Sequence, residues 1–388
     1  MDSSGRNTKE FGTLRSRFIH YLMFAYGMNW DDDPLMATMS IRRANLQLAL
    51  YAAHLGSGET LLHRAIRVGT VKRYIADIAF IFRRIHKVAR DVRYANPHDP
   101  KLCPELNAVF KELERYEKMP NRRDPFTPEM LHYQMKRAQE LGHHGLLSLL
   151  SAIADWSEVN LFIGARLTEW AQPDNRHTDP DKPHIQPGYV QARAFCLSDL
   201  KFFRAGNKIF RSIDAVLRAP SEVETITLCW RTQKNGQNGE TRKFSRNHKP
   251  GGHCFVRAML NIVKRFVALR SSSDLTTPLA LYRDTASQKT LLFTPRVIEQ
   301  TMRDTAAAVY DLDPSIASHK ETLSKWSAHS YRVGACCVLH SLGYSETQIK
   351  YLLRWRSNAF MDYLRNLKVV SDQHHRDLDR AAAFPQFL

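Results

Sequence analysis

The sequence predicts a mainly α-helical chain in two domains, the second carrying a small antiparallel β-sheet. Three observations predict it. Helical periodicity runs from about residue 13 to 116 and returns over 131–162, 253–270 and 295–365. One stretch, ETITLCWRTQKNGQNGETRKFSR (224–246), alternates like a strand, breaks at two Asn-Gly pairs and resumes, which is a hairpin signal. At 388 residues the chain also exceeds what one core usually organises.

In the N-terminal part the clearest element is TVKRYIADIAFIFRRIHKVARDV (70–92). Ile78, Phe82, Ile85 and Ala89 recur at helical spacing with Ile81 beside them, and Arg83, Lys87 and Arg90 follow i, i+4, i+7 on another face. Basic residues heavily outnumber acidic ones here. A solvated helix face is the ordinary reading, and the lopsided sign favours a phosphate-facing surface built from Arg83, Arg84, Lys87 and Arg90. Polar, Pro-bearing EKMPNRRDPFTPEM (117–130) then reads as a linker, so the domains are expected at 1–119 and 120–388. Thr127 caps the next helix, with Pro128 in its first turn.

Composition limits the partners. A net charge of +17 and a pI near 9.7 point to a polyanion, because basic proteins bind nucleic acid partly by displacing its counterions. An anionic membrane surface is the rival, but no basic amphipathic anchor is visible and no stretch has the apolar length of a membrane span. The N-terminus lacks the apolar run of a secretory signal. Six cysteines form no C-x-x-C pair, and Cys336 and Cys337 lie in an apolar helical run, so buried free thiols in a reducing, intracellular setting are expected. Asp31, Asp32 and Asp33 could serve a metal-dependent nuclease, but three in a row read more simply as solvated helix-entry residues. His248, His253 and Cys254 match no zinc spacing.

Four separated segments carry chemistry that suits a phosphate. NLFIGARLTEW places Arg166 after an apolar helix, with Glu169 three residues on to orient its guanidinium. RTQKNGQNG puts Lys234 at a hairpin turn, with Lys243 on the other arm. SAHSYRVG sets His329 and Arg332 three apart behind Ser327 as N-cap, near a helix end that favours anions. LLRWRSNAFMDYLR holds Arg354, Trp355 and Tyr363, with Ser357 and Asn358 starting a fresh helix before the tyrosine. Each alone has a bland reading: a surface pair, a turn lysine, a core histidine, a core aromatic.

Together, in this order, they resemble the tyrosine recombinase family. The resemblance covers roughly 120–370. GARLTEW looks like the segment with the family's first arginine, HSYR like its His-x-x-Arg box, and Tyr363 sits where the nucleophile belongs. RWRSNAFMDYLR is most similar to eukaryotic mobile-element recombinases of the Crypton and DIRS-like kinds. The family usually has His or Trp nine residues before the tyrosine. Here Trp355 is eight before and Arg354 nine, so the role goes to Trp355 with Arg354 as alternate, and Leu353 stands where a glycine is common.

What the resemblance implies is a helical core-binding domain followed by a catalytic domain that cleaves and rejoins DNA through a 3′-phosphotyrosine. Arg166 and Arg332 would clamp the phosphate, His329 would hydrogen-bond it or take the phenolic proton, and Lys234 would protonate the leaving 5′ oxygen. Trp355 would pack against or donate to the phosphate, and Tyr363 would attack. No metal, ATP or other cofactor is implied. The expected partners are two DNA duplexes held by a homotetramer, in the nucleus, with no membrane. The tail residues Phe384, Phe387 and Leu388 would dock in a neighbouring subunit or on their own domain. Alternatives are a type IB topoisomerase-like relaxation of DNA and a catalytically silent DNA-binding protein.

Overall fold

The structure, a computed structural model, describes residues 8–30, 32–58, 66–96, 99–117, 122–140, 142–171, 194–231, 233, 238–355 and 357–364. It divides into two compact units, residues 1–120 and 121–388. The chain is mainly α-helical with small antiparallel sheets, as the sequence predicts.

The first unit contains α1 (Thr8–Gly27), α2 (Ile41–Ser57), α3 (Val68–Arg84), the two-stranded β1 (Tyr94–Asn96) and β2 (Asp99–Leu102), and α4 (Pro104–Tyr116). Its core is aromatic: Tyr21 packs edge-on against both Tyr51 and Phe82. Helix α3 buries Val68, Val71, Ile75, Ile78 and Phe82, a 3-4-3-4 spacing that makes one apolar stripe.

That helix ends earlier than periodicity suggests. Ile85 is exposed, Ala89 is exposed, and Lys87 sits at φ 57, so the chain turns away after Arg84. Arg83, Lys87 and Arg90 therefore do not share a helix face. Arg83, Arg84 and Lys87 are exposed, whereas Arg90 turns inward and donates to the carbonyls of Met36 (3.1 Å) and Met39. The loop it holds is also fixed by Asp33, which accepts from the backbone N–H groups of Ala37, Thr38 and Met39. Those hydrogen bonds hold the Asp33 carboxyl below its usual range against a desolvation that pushes it up.

The second unit starts with α5 (Pro128–Glu140), α6 (Leu149–Ile163) and the short α7 (Leu167–Trp170). A three-stranded antiparallel sheet, in the order β3 (Leu200–Phe203), β4 (Thr225–Cys229), β5 (Thr241–Ser245), is interrupted by α8 (Ile213–Arg218). The β4–β5 pair is the expected hairpin, with Thr225 opposite Ser245 and Cys229 opposite Thr241. Then come α9 (Phe255–Leu269), the pair β6 (Leu281–Arg283) and β7 (Thr290–Leu292), α10 (Pro295–Val309) and α11 (Ala317–Leu323). The last described elements are α12 (Ser330–Ser341), α13 (Glu346–Leu353) and α14 (Met361–Leu364).

Helix α6 is the central element, buried around most of its circumference and packed on α5, α9 and α12. Gly164, at φ 52, closes it in the left-handed region, and a Cβ there would come within 2.9 Å of Leu353. Glycine at this point thus lets the end of α13 approach the end of α6. Gly334 plays the same part for α12, where a Cβ would collide with the Phe126 carbonyl.

Among the described residues, no helix is long and apolar enough to cross a membrane. Cys336 is buried and Cys337 half-buried; both are free thiols pushed up to about 12 by burial. His248 approaches Glu224 (2.8 Å), His253 approaches Glu158 (3.5 Å), and the Cys254 sulfur accepts from the Asn247 N–H (3.2 Å), so these three side chains have separate partners.

Candidate active site

The ends of α6 and α13 and the start of α12 converge on Arg332. Its side chain is 1% exposed. Nη1 donates to the Gly164 carbonyl (2.5 Å) and Nη2 to the Leu353 carbonyl (3.0 Å), two groups that their own helices leave unsatisfied. The guanidinium also lies 4.2 Å from the ring centre of Trp355, a cation–π contact. Arg332 is thereby fixed before any ligand arrives.

Arg166 starts α7 and is held by Glu169 one turn on. The Glu169 carboxylate accepts from Arg166 Nη1 (2.9 Å) through one oxygen and from the Arg166 backbone N–H (3.1 Å) through the other. Glu169 is 2% exposed, so the carboxylate is a buried anchor and not a surface partner. The i, i+3 spacing of the two residues makes this pair readable from the sequence.

His329 stands at the N-cap position of α12, where the sequence suggests Ser327. Ser327 instead sits two residues earlier, its hydroxyl accepting from the His329 N–H (3.3 Å) in a tight turn closed by Ser330 N–H to the Ser327 carbonyl (2.8 Å). The imidazole is open to solvent, yet its pKa is pushed down to about 4. Partial desolvation is the larger cause, followed by the positive charge of Arg332, Arg123 and Arg166. At neutral pH this histidine is uncharged and able to accept a proton.

Arg123 does not stand out in the sequence, because it lies in what reads as a linker. Residues 123–126 are in fact bound along 324–330. Arg123 Nη1 donates to the Ser324 carbonyl (2.6 Å), Trp326 Nε1 to the Pro125 carbonyl (3.1 Å), and the Phe126 N–H to the Ser330 carbonyl (3.0 Å). This brings a further positive charge near enough to lower the pKa of His329. The adjacent Arg122-Arg123 pair is the one signal of it that the sequence carries.

Trp355 is half-buried and packs on Arg332 and Phe360. Arg354 is 4% exposed and donates through Nη2 to the second oxygen of Glu169 (2.7 Å), with its guanidinium 3.8 Å from the ring centre of Trp230. Its backbone is left-handed, φ 56, at the C-cap of α13, a position that favours glycine and costs a branched or long side chain roughly 1 kcal/mol. Tyr363 lies in α14, eight residues beyond Trp355. Lys234 and the tail residues Phe384, Phe387 and Leu388 lie outside the described residues. Lys243 is exposed on β5, its ammonium 5.5 Å from the ring centre of Phe203.

The hairpin strand β5 also supports this region. Arg242 donates to the carbonyls of Tyr351 and Leu352 and is held by Glu240. With Arg332 on Leu353, the last three carbonyls of α13 are all capped by arginine side chains, which complements the negative end of that helix. The segment leading to Tyr363 therefore leaves from a fixed point.

Taken as chemistry, Arg166 and Arg332 offer preorganised positive charge, and the neutral His329 offers a proton acceptor, all in one unit. Such an array suits an oxyanion of the phosphate type, whose charge it would neutralise without reorganising. Among the described residues no group of three or more His, Cys, Asp or Glu is placed to share a metal ion.

No protein-family model matches this sequence, and no curated protein matches it. Solved structures of the Tn1549 transposon integrase are similar at low level. The form in complex with transposon right-end DNA is 12% identical with a TM-score of 0.46, covering 98% of this chain and 96% of that one. A form in complex with circular intermediate DNA gives 14%, 0.45, 98% and 95%.

Proposed function

We propose that the chain is a tyrosine recombinase, a DNA strand transferase in which Tyr363 attacks a backbone phosphate and rejoins the strand elsewhere. The observation that carries this reading is the convergence of Arg166, at the start of α7, with Arg332 and a neutral His329, at the start of α12, in the order the sequence resemblance requires. A phenol with a pKa near ~10 is a poor nucleophile at neutral pH. It becomes competent when fixed cations neutralise the non-bridging oxygens as charge develops and a base takes its proton.

In this reading Arg166 and Arg332 bind the scissile phosphate. His329 accepts the phenolic proton as the Tyr363 oxygen bonds to phosphorus and the 5′ oxygen leaves. Lys234 protonates that oxygen, giving a free 5′-hydroxyl and a 3′-phosphotyrosine that retains the energy for religation. Trp355 contributes by holding Arg332 in place. Attack by a 5′-hydroxyl from a second duplex completes strand exchange. Recombination or integration of a mobile element of Crypton or DIRS-like kind, four protomers on two duplexes, and a nuclear setting belong to the same proposal. So do independence of metal and ATP and a DNA-clamping role for residues 1–119.

The test uses DNA carrying a nick beside each candidate cleavage position, drawn from a sequence pool and incubated in EDTA. A covalent protein–DNA adduct that is lost in Tyr363→Phe is the expected result. Strand exchange then separates a recombinase from a topoisomerase-like relaxation. Tight DNA binding with no adduct from either protein makes the chain a silent binder, and metal-dependent cutting that survives Tyr363→Phe overturns the mechanism.

A further inference from the structure

The segment around Glu169 holds more charge than phosphate binding alone requires. One buried carboxylate serves two arginines: Oε1 takes Arg166 Nη1 (2.9 Å), and Oε2 takes Arg354 Nη2 (2.7 Å). Arg354 is itself buried, stacked on Trp230, and held in a left-handed backbone conformation that disfavours a long side chain. Its Nε and Nη1 have no hydrogen-bond partner among the described residues. A buried guanidinium in a strained position, with two unsatisfied nitrogens, is an expensive way to end a helix that glycine would end without strain. The cost points to a task beyond capping.

We propose that Arg354 is a positioning residue for Arg166: by holding one oxygen of Glu169, it keeps that carboxylate divided between two guanidiniums and leaves Arg166 net positive toward a bound phosphate. Without Arg354, both oxygens of Glu169 turn to Arg166, which becomes a neutral, two-toothed pair withdrawn from the ligand. In this proposal Arg354 acts through Glu169. Its catalytic consequence rests on the strand-transfer reading, its electrostatic one on geometry alone.

Two substitutions suit the left-handed backbone while removing the charge, Arg354→Gly and Arg354→Asn. On nicked DNA in EDTA, both are expected to form the adduct at least roughly 10-fold more slowly than wild type, an effect the size of a misplaced transition-state contact. DNA affinity should stay within about 2-fold, because most phosphate contacts persist. Arg354→Lys, which keeps the charge but loses the fork, should fall between.

A DNA-free readout separates positioning from a merely structural role. The charge of Arg166 is one cause of the low pKa of His329, alongside Arg332 and Arg123. Neutralising Arg166 against Glu169 should raise the NMR titration midpoint of His329 by roughly half a pH unit, the order expected for partial loss of a neighbouring unit charge at an effective dielectric of about 20.

If Arg354→Gly and Arg354→Asn fold, cleave like wild type and leave His329 unmoved, Arg354 only closes α13 and the proposal fails. If wild type itself forms no adduct, the strand-transfer reading fails, and the His329 titration still decides this one. If neither single variant folds, Glu169→Gln with Arg354→Asn removes both buried charges. In that protein His329 is expected to titrate no higher than in wild type, and a rise overturns the proposal.

Discussion

The basic residues at the end of α3 and those around α12 have the same side chains and opposite physics. Arg83 is 53% exposed and its nearest carboxylate, Asp91, lies at 3.5 Å while being claimed more closely by Arg93 at 2.8 Å. Arg332 is 1% exposed and fixed by two carbonyls and an indole. The first kind of charge is hydrated, mobile and screened by salt, so it can attract a polyanion without orienting it. The second kind was desolvated when the chain folded, so it meets a ligand already in position. Attraction is suited to the exposed set and chemistry to the buried one.

The largest break in that contrast should come from Arg332→Ala. It orphans the Gly164 and Leu353 carbonyls and removes the support of Trp355, so unfolding in urea should show a loss of roughly 3 kcal/mol. Single-turnover adduct formation should fall by about 10³-fold. A variant that kept native stability would show that the two carbonyl contacts carry no net energy.

Arg90 sharpens the comparison from inside the first unit. Although it belongs to the basic run, it holds Met36 and Met39 carbonyls, so Arg90→Ala should cost about 1–2 kcal/mol. Arg83→Ala should stay within about 0.5 kcal/mol of wild type. Equal effects in thermal melts would erase the distinction between the two arginines.

His329 offers a pH test. Its folded pKa is depressed from an ordinary value near 6.5 to about 4, so between these values the unfolded chain binds more proton than the folded one. The stability due to its neutral form is complete above about pH 6.5 and is lost as pH falls toward 4. His329→Gln should therefore flatten the fall in melting temperature across that window. Because the ring is open to solvent, the effect should be smaller than for a fully enclosed group. An added phosphate-bearing DNA should raise the His329 titration midpoint by offsetting the nearby guanidiniums.

The smallest effect belongs to the exposed set. Replacing Arg83, Arg84 or Lys87 by Gln should each lower the slope of log affinity against log salt by about 1 if that residue meets a phosphate, and leave the cleavage step on bound DNA unchanged. A change in the cleavage step with an unaltered slope would reverse the roles of the two sets.

Several features were legible because they are local. The i, i+3 pairing of Arg166 with Glu169 and of His329 with Arg332, the Thr127 cap, whose hydroxyl accepts from the Met130 N–H at 3.4 Å, and the β4–β5 hairpin all follow from short-range geometry. The Asn238-Gly239 turn and the apolar stripe of α3 needed no distant partner to be recognised. Local rules also misled. Extending the α3 pattern through Ile85 and Ala89 looked reasonable, yet helix ends are set by where the apolar face runs out of core, and that happens at Arg84. Ser327 had the right chemistry for an N-cap, but the turn it makes with Ser330 moves the helix start to His329.

The sequence by itself determined a mainly helical chain, the hairpin in its second part, the strong basic character, and the order of arginine, histidine-arginine, tryptophan and tyrosine that suggests phosphate chemistry. Tertiary structure alone decided that the charge of Arg123 acts on His329, that Arg242 and Arg332 cap the end of α13, and that Glu169 is shared by Arg166 and Arg354. These contacts join residues far apart in the chain, and their energy depends on which groups lose water together, a property that belongs to the folded packing and not to any window of sequence.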